Sequence, residues 1–140
     1  MGTQQLLLIV LSLIIVSVTI VGAIGLFKLR AQQSNRSAII QDMYNIAVLA
    51  ISYNKTTANM GGGAGSWDPD GFYVWCGYPI SNNGRFLETD NGRIRVQVIS
   101  RDRLRVKGWG TELGYNENQA IRARLILSST SGQMNFRILN

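Results

Sequence analysis

The sequence predicts an α+β fold, a long N-terminal hydrophobic α-helix packed on a small antiparallel β-sheet. Three observations predict it. Residues 6–27, LLLIVLSLIIVSVTIVGAIGLF, form an apolar run without a charged side chain. Residues 38–53, AIIQDMYNIAVLAISY, place Ile39, Met43, Ile46, Ala47 and Ala50 on one helical stripe. Beyond residue 84 the pattern changes to strict alternation, with short connections that imply antiparallel hairpins. The chain accordingly divides into a helical segment, 1–57, and a globular β domain, 58–140.

The run at 6–27 rises roughly 33 Å as a helix, at about 1.5 Å per residue, and matches a hydrocarbon core about 30 Å thick. Its polar side chains, Ser12, Ser17 and Thr19, can each bond back to a helical carbonyl. Residues 28–37, KLRAQQSNRS, contain no glycine or proline, so nothing stops the helix between the span and the amphipathic stripe. One helix from Thr3 to about Thr57 is expected. Gly22 and Gly25 are its weak points, at about 1 kcal/mol each against alanine, and the pattern leaves open whether the helix unwinds there.

MGGGAGS at 60–66 ends the helix. Asp68-Pro69-Asp70-Gly71 reads as a β-turn, with its two carboxylates a weaker metal motif. FYVWC reads as a short strand and GRFLET as another. Asn91-Gly92 is a hairpin signal. In GRIRVQVIS, Ile94, Val96 and Val98 alternate with Arg93, Arg95 and Gln97. LRVKGWG, IRARLIL and QMNFRIL repeat the scheme, separated by a turn at 100–103 and by the polar loop GTELGYNENQ. The inward set includes Leu104, Val106, Ile121, Ala123, Leu125, Leu127, Met134, Phe136 and Ile138. The helix at 38–53 is the one available cover for that face.

Composition narrows the function classes. The chain has 140 residues, no histidine, one cysteine and a formal net charge of +6. Without histidine, the usual base for a serine or cysteine nucleophile is missing. One cysteine allows no intrachain disulfide and no Cys/His metal cluster. Cys76 reads as a small buried residue. Neither an enzyme nor a cofactor is expected. The apolar run is longer than the core of a signal peptide and no Lys or Arg precedes it, so it is read as retained. Lys28, Arg30 and Arg36 follow it, and the positive-inside rule alone would put the β domain in the cytoplasm.

A very hydrophobic helix that becomes amphipathic, then a glycine-rich loop, then an antiparallel sheet resembles the type IV pilins. The likeness is sharpest at the start, where LLLIVLSLII follows Gln5 as the apolar run of pilins follows a glutamate. In this chain the acid is an amide, no proline kinks the helix, and the carboxyl-terminal disulfide loop of many pilins is missing. The resemblance implies a subunit that waits in the membrane and then polymerises with copies of itself into a cell-surface filament. It makes Gln5, Leu6, Leu7, Leu8, Ile9, Leu13, Ile14, Gly22 and Gly25 the assembly core. Gln5 can accept a hydrogen bond from a neighbour's amino terminus but cannot neutralise it. A minor pilin or pseudopilin of a secretion or DNA-uptake system is the alternative. A monomeric membrane-anchored domain is a third reading, from a different class.

Two further sets of residues follow from pattern. Arg93, Arg95, Arg105, Lys107, Arg122 and Arg124 share one strand face. A solvated surface is its simplest reading, subunit contacts come next, and nucleic acid after that, with Trp67, Phe72, Tyr73 and Trp75 as candidate stacking partners. Asn35 and Asn54 fit the N-x-[ST] pattern, and Ser128, Ser129 and Thr130 form a hydroxyl cluster, so all five are candidate glycosylation positions on an extracellular fibre.

Overall fold

The computed structural model describes residues 2–114, 116 and 118–140. The fold is α+β as expected. Helix α1 (Gly2–Lys55) has 54 residues and is about 81 Å long. It runs through Gly22 and Gly25 without unwinding, and nothing lies within 4 Å of where a side chain would start at either. In apolar surroundings a released backbone group has no water to bond, so the helical bonds outweigh the glycine penalty.

The glycine-rich segment folds back onto the end of α1, after a 3-10 turn at Ala58–Met60. The last carbonyls of a helix have no intrahelical partner. Here the Gly63 N–H donates to the Tyr53 carbonyl at 2.8 Å and the Gly65 N–H to the Asn54 carbonyl at 2.7 Å. A side chain at Gly63 would collide with the Ser66 carbonyl and the Tyr53 ring, so this cap requires glycine.

Residues Pro69–Cys76 form a second helix, α2, and not the expected turn and strand. Asp68 caps it, its carboxylate accepting from the Asp70 N–H at 3.3 Å and the Gly71 N–H at 3.2 Å, and Pro69 takes the first helical position. That capping overrides the strand preference of FYVWC. α2 turns Phe72 and Tyr73 into the core.

Five strands follow: β1 (Leu87–Thr89), β2 (Gly92–Ser100), β3 (Arg103–Leu113), β4 (Ala120–Ser128) and β5 (Met134–Ile138). They form one antiparallel meander in sequence order. β1 covers only the end of the expected GRFLET strand, and β3 extends into the expected polar loop. Tyr115 and Glu117 of that loop lie outside the described residues.

The inner face of the sheet packs on the second half of α1. Ile39, Met43, Ile46, Ala47 and Ala50 are fully buried against Leu87, Ile94, Val106, Ile121, Leu125 and Leu127. Gly108 of β3 lets the helix close down, because a Cβ there would stand 2.6 Å from Met43 Sδ and 3.2 Å from Ile39 Cγ1. Val98 and Ile138, both expected inward, are largely exposed at the margins the helix does not reach. On β5 the Phe136 ring stacks on Tyr44 of α1, centroids 5.9 Å apart.

Candidate functional site

Two surfaces carry chemistry. The first is the free half of α1. From Leu6 to Phe27 every large apolar side chain is 46–75% exposed, on all sides of the helix. The assembly residues expected from sequence, from Gln5 through Leu6, Leu7, Leu8, Ile9, Leu13 and Ile14 to Gly22 and Gly25, all lie on this free rod. The polar side chains within it are satisfied internally. Ser12 donates to the Ile9 carbonyl at 2.8 Å, Ser17 to Leu13 at 2.7 Å and Thr19 to Ile15 at 2.8 Å. The rod therefore presents no unsatisfied side-chain hydroxyl to an apolar neighbour. It is long and apolar enough to cross a membrane, and its most apolar stretch buries nothing against the globular part.

The rod is held at a fixed height on the globular part by polar pins. Asn35 donates to the Asn91 carbonyl at 3.0 Å and to Thr111 Oγ1 at 2.9 Å, and its Oδ1 accepts from the Glu112 N–H at 3.3 Å. Asp42 accepts from the Asn91 side-chain amide at 2.9 Å. These contacts tie α1 to the β1–β2 hairpin and to the end of β3. They are invisible in sequence because the partners stand 49 to 77 residues apart.

The second surface is the outer face of the sheet. Its register brings the expected cations together and adds Arg137. Arg95 stands opposite Lys107, Lys107 opposite Arg124, and Arg124 opposite Arg137, one row across β2, β3, β4 and β5. In the next row Arg93 stands opposite Trp109, and Trp109 opposite Arg122. Arg105 lies on the other side of the first row, opposite Gln97 and Ile126. An aromatic cluster borders the row. Phe86 meets Trp109 edge to face at 5.5 Å, and the guanidinium carbons of Arg93 and Arg95 sit 5.3 Å and 5.8 Å from the Phe86 ring centre.

These are not the aromatics expected for stacking. Phe72 and Tyr73 are buried, and Trp75 packs edge to face on Tyr53 at 5.7 Å. Tyr73 is a core strut, its hydroxyl accepting from the Val96 N–H at 2.9 Å and reaching the Arg85 carbonyl at 3.2 Å. Burial pushes that phenol above its ordinary range. Trp67 is half-buried and lines a cleft of about 440 Å³ with Asp70, Arg85 and Arg95.

The glycosylation candidates separate. Asn54 is buried, its amide donating to the Ser66 carbonyl at 3.2 Å, and the Asn35 amide is engaged as above, so neither offers an open nitrogen in the folded chain. Ser128, Ser129 and Thr130 run from the end of β4 into its turn, with Thr130 exposed. Cys76 is half-buried rather than buried, and desolvation raises its thiol pKa. Among the described residues no three His, Cys, Asp or Glu side chains converge.

No family model matches the chain, and neither do the curated proteins or solved structures. The element order, a long apolar N-terminal helix followed by a five-stranded antiparallel sheet, is a pilin-like architecture.

Proposed function

We propose that this chain is the structural subunit of a helical, type IV pilus-like filament, held in the membrane by residues 6–27 before assembly and polymerised through the same residues afterwards. The observation that carries the reading is the free apolar rod of α1, continuous with a half that is locked to the sheet. Such a surface is stable only in lipid or against other apolar helices, since each large side chain transferred from water is worth about 1.5–3 kcal/mol. A bare tether needs no rigid connection to its domain. Here one unbroken helix and the Asn35 and Asp42 pins fix the rod's height on the sheet, and every copy then stacks in the same register. Gln5 precedes the run and supplies a neutral acceptor for a neighbouring amino terminus.

Lys28 and Arg30, just after the run, favour a second reading, a monomeric anchored domain oriented by its positive flank. Shearing separates the two. A filament subunit leaves cells as fibres that sediment without detergent. Recovery solely as detergent-soluble monomer from washed membranes rejects the filament. A Gln5→Lys chain should insert normally yet assemble poorly, and unchanged fibres would remove Gln5 from the mechanism.

A further inference from the structure

We propose that the outer face of the sheet binds single-stranded DNA, holding its phosphates on the row Arg95, Lys107, Arg124 and Arg137 and a base beside the Phe86–Trp109 pair. Neighbouring strands lie about 4.8 Å apart, so the row sets one positive charge at about that interval over about 14 Å. No carboxylate stands opposite any of the four. Like charges directly opposite one another weaken a sheet, so the row works against the fold unless an anion lies along it. Arg105 and Arg124 each also keep a buried Nε with no acceptor among the described residues.

The observations distinguish the occupants. A surface built for solubility intersperses both signs, whereas this row has one and the neighbouring row adds a single carboxylate, Glu88 opposite Arg93. A second copy of the chain is a weaker match, since the chain has 14 basic residues against 8 acidic ones, and two of those eight, Asp42 and Asp68, are already engaged by Asn91 and by the start of α2. A bilayer surface fits poorly as well. The sheet packs flat along α1, so with residues 6–27 upright in the membrane the outer face stands at right angles to the headgroups. Among polyanions, the aromatic pair selects nucleic acid. Half-buried rings beside guanidinium groups, bordering a cationic track, are the elements that hold unpaired bases and their phosphates. A duplex keeps its bases stacked inside, away from Trp109. The surface is present on a single copy and does not depend on assembly.

The test uses the full chain in detergent and a fluorescent oligothymidylate of about 15 nucleotides. Anisotropy should show binding at about 50 mM salt, with the logarithm of affinity falling linearly against that of salt. Four phosphate contacts predict a slope of about −2.8, at about −0.7 each on a single strand. Lys107→Gln and Arg124→Gln, each checked for an unchanged circular dichroism spectrum, should each reduce the slope by about 0.7. Trp109→Leu should weaken binding with the slope intact. Lys28→Gln, on the helix, should change neither. The proposal is overturned by absent or salt-independent binding, by Lys107→Gln and Arg124→Gln both leaving the slope unchanged, by tighter binding of duplex, or by polyglutamate binding as well as the oligonucleotide.

Discussion

Between Ile39 and Tyr53, α1 buries one stripe under the sheet. Between Leu6 and Phe27 the same helix buries no side chain and is apolar on every side. The buried half is amphipathic, with Ala47 and Ala50 small enough to sit close to the strands and Gly108 opened to receive Met43. The free half has no such tailoring toward any one direction. A helix with a single partner carries a stripe, and a helix surrounded by apolar matter carries none. The difference teaches that residues 39–53 are built for one internal neighbour, whereas residues 6–27 are built for an apolar environment on all sides, first lipid and then, in the proposed filament, other copies.

Paired substitutions test that difference, beginning with the largest effect. Ile46→Ala in the buried half should cost the globular part about 2–5 kcal/mol, because it opens a cavity between helix and sheet. Ile14→Ala in the free half should change it by less than about 0.5 kcal/mol. Denaturant titration followed by tryptophan emission in mild detergent measures both, and equal costs would contradict the division. Gly108→Ala comes next, at about 1–3 kcal/mol, since Met43 and Ile39 must both shift. Asn35→Ala should cost about 0.5–1.5 kcal/mol, by removing the bonds to the Glu112 N–H and the Asn91 carbonyl, which keeps the Thr111 N–H, and should loosen the rod's height on the sheet. Amide exchange at Glu112 reports that loosening.

The smallest effect concerns pH. Burial raises the Tyr73 phenol, and burial together with the Asp68 charge raises that of Tyr53. The folded state therefore holds these protons more tightly than the unfolded chain does. Their contribution is fully present below pH of about 10, the unfolded value, and is lost as pH rises through the higher folded values. Stability of the globular part should be flat near neutral pH, begin to fall above about 9, the ordinary value of the Cys76 thiol that burial also raises, and fall further in the tyrosine window. Tyr73→Phe should shrink the decline while lowering stability at neutral pH through the lost Val96 bond.

Much of this was legible in the sequence. The absence of glycine and proline from residues 28–59 and the Ile39–Met43–Ile46 stripe foretold one helix and its buried face. Alternation foretold β2 to β5 and the outward position of Arg93, Arg95, Arg105, Lys107, Arg122 and Arg124. α2 was missed because Phe72 to Trp75 look like a strand, although Asp68-Pro69 is a helix start. The decisive interaction there is a carboxylate on two backbone N–H groups. The cation row and its partnership with Phe86 and Trp109 depend on register. Register is fixed by bulges between Val98 and Ser100 and between Trp109 and Leu113, which alternation does not mark. The Asn35 pin joins residues far apart in the chain, so in sequence Asn35-Arg36-Ser37 shows only a candidate sugar-acceptor pattern, and the hydrogen bonds of its amide to Asn91 and Thr111 come from the fold.

Electron microscopy of fibres sheared from cells, with helical reconstruction, decides whether the free rod is an assembly surface. The account predicts a central bundle of α1 helices, with residues 6–27 of each copy enclosed by those of its neighbours and the sheets forming the outer shell. Fibres whose core is some other chain, or residues 6–27 found only in the lipid of washed membranes, would contradict it.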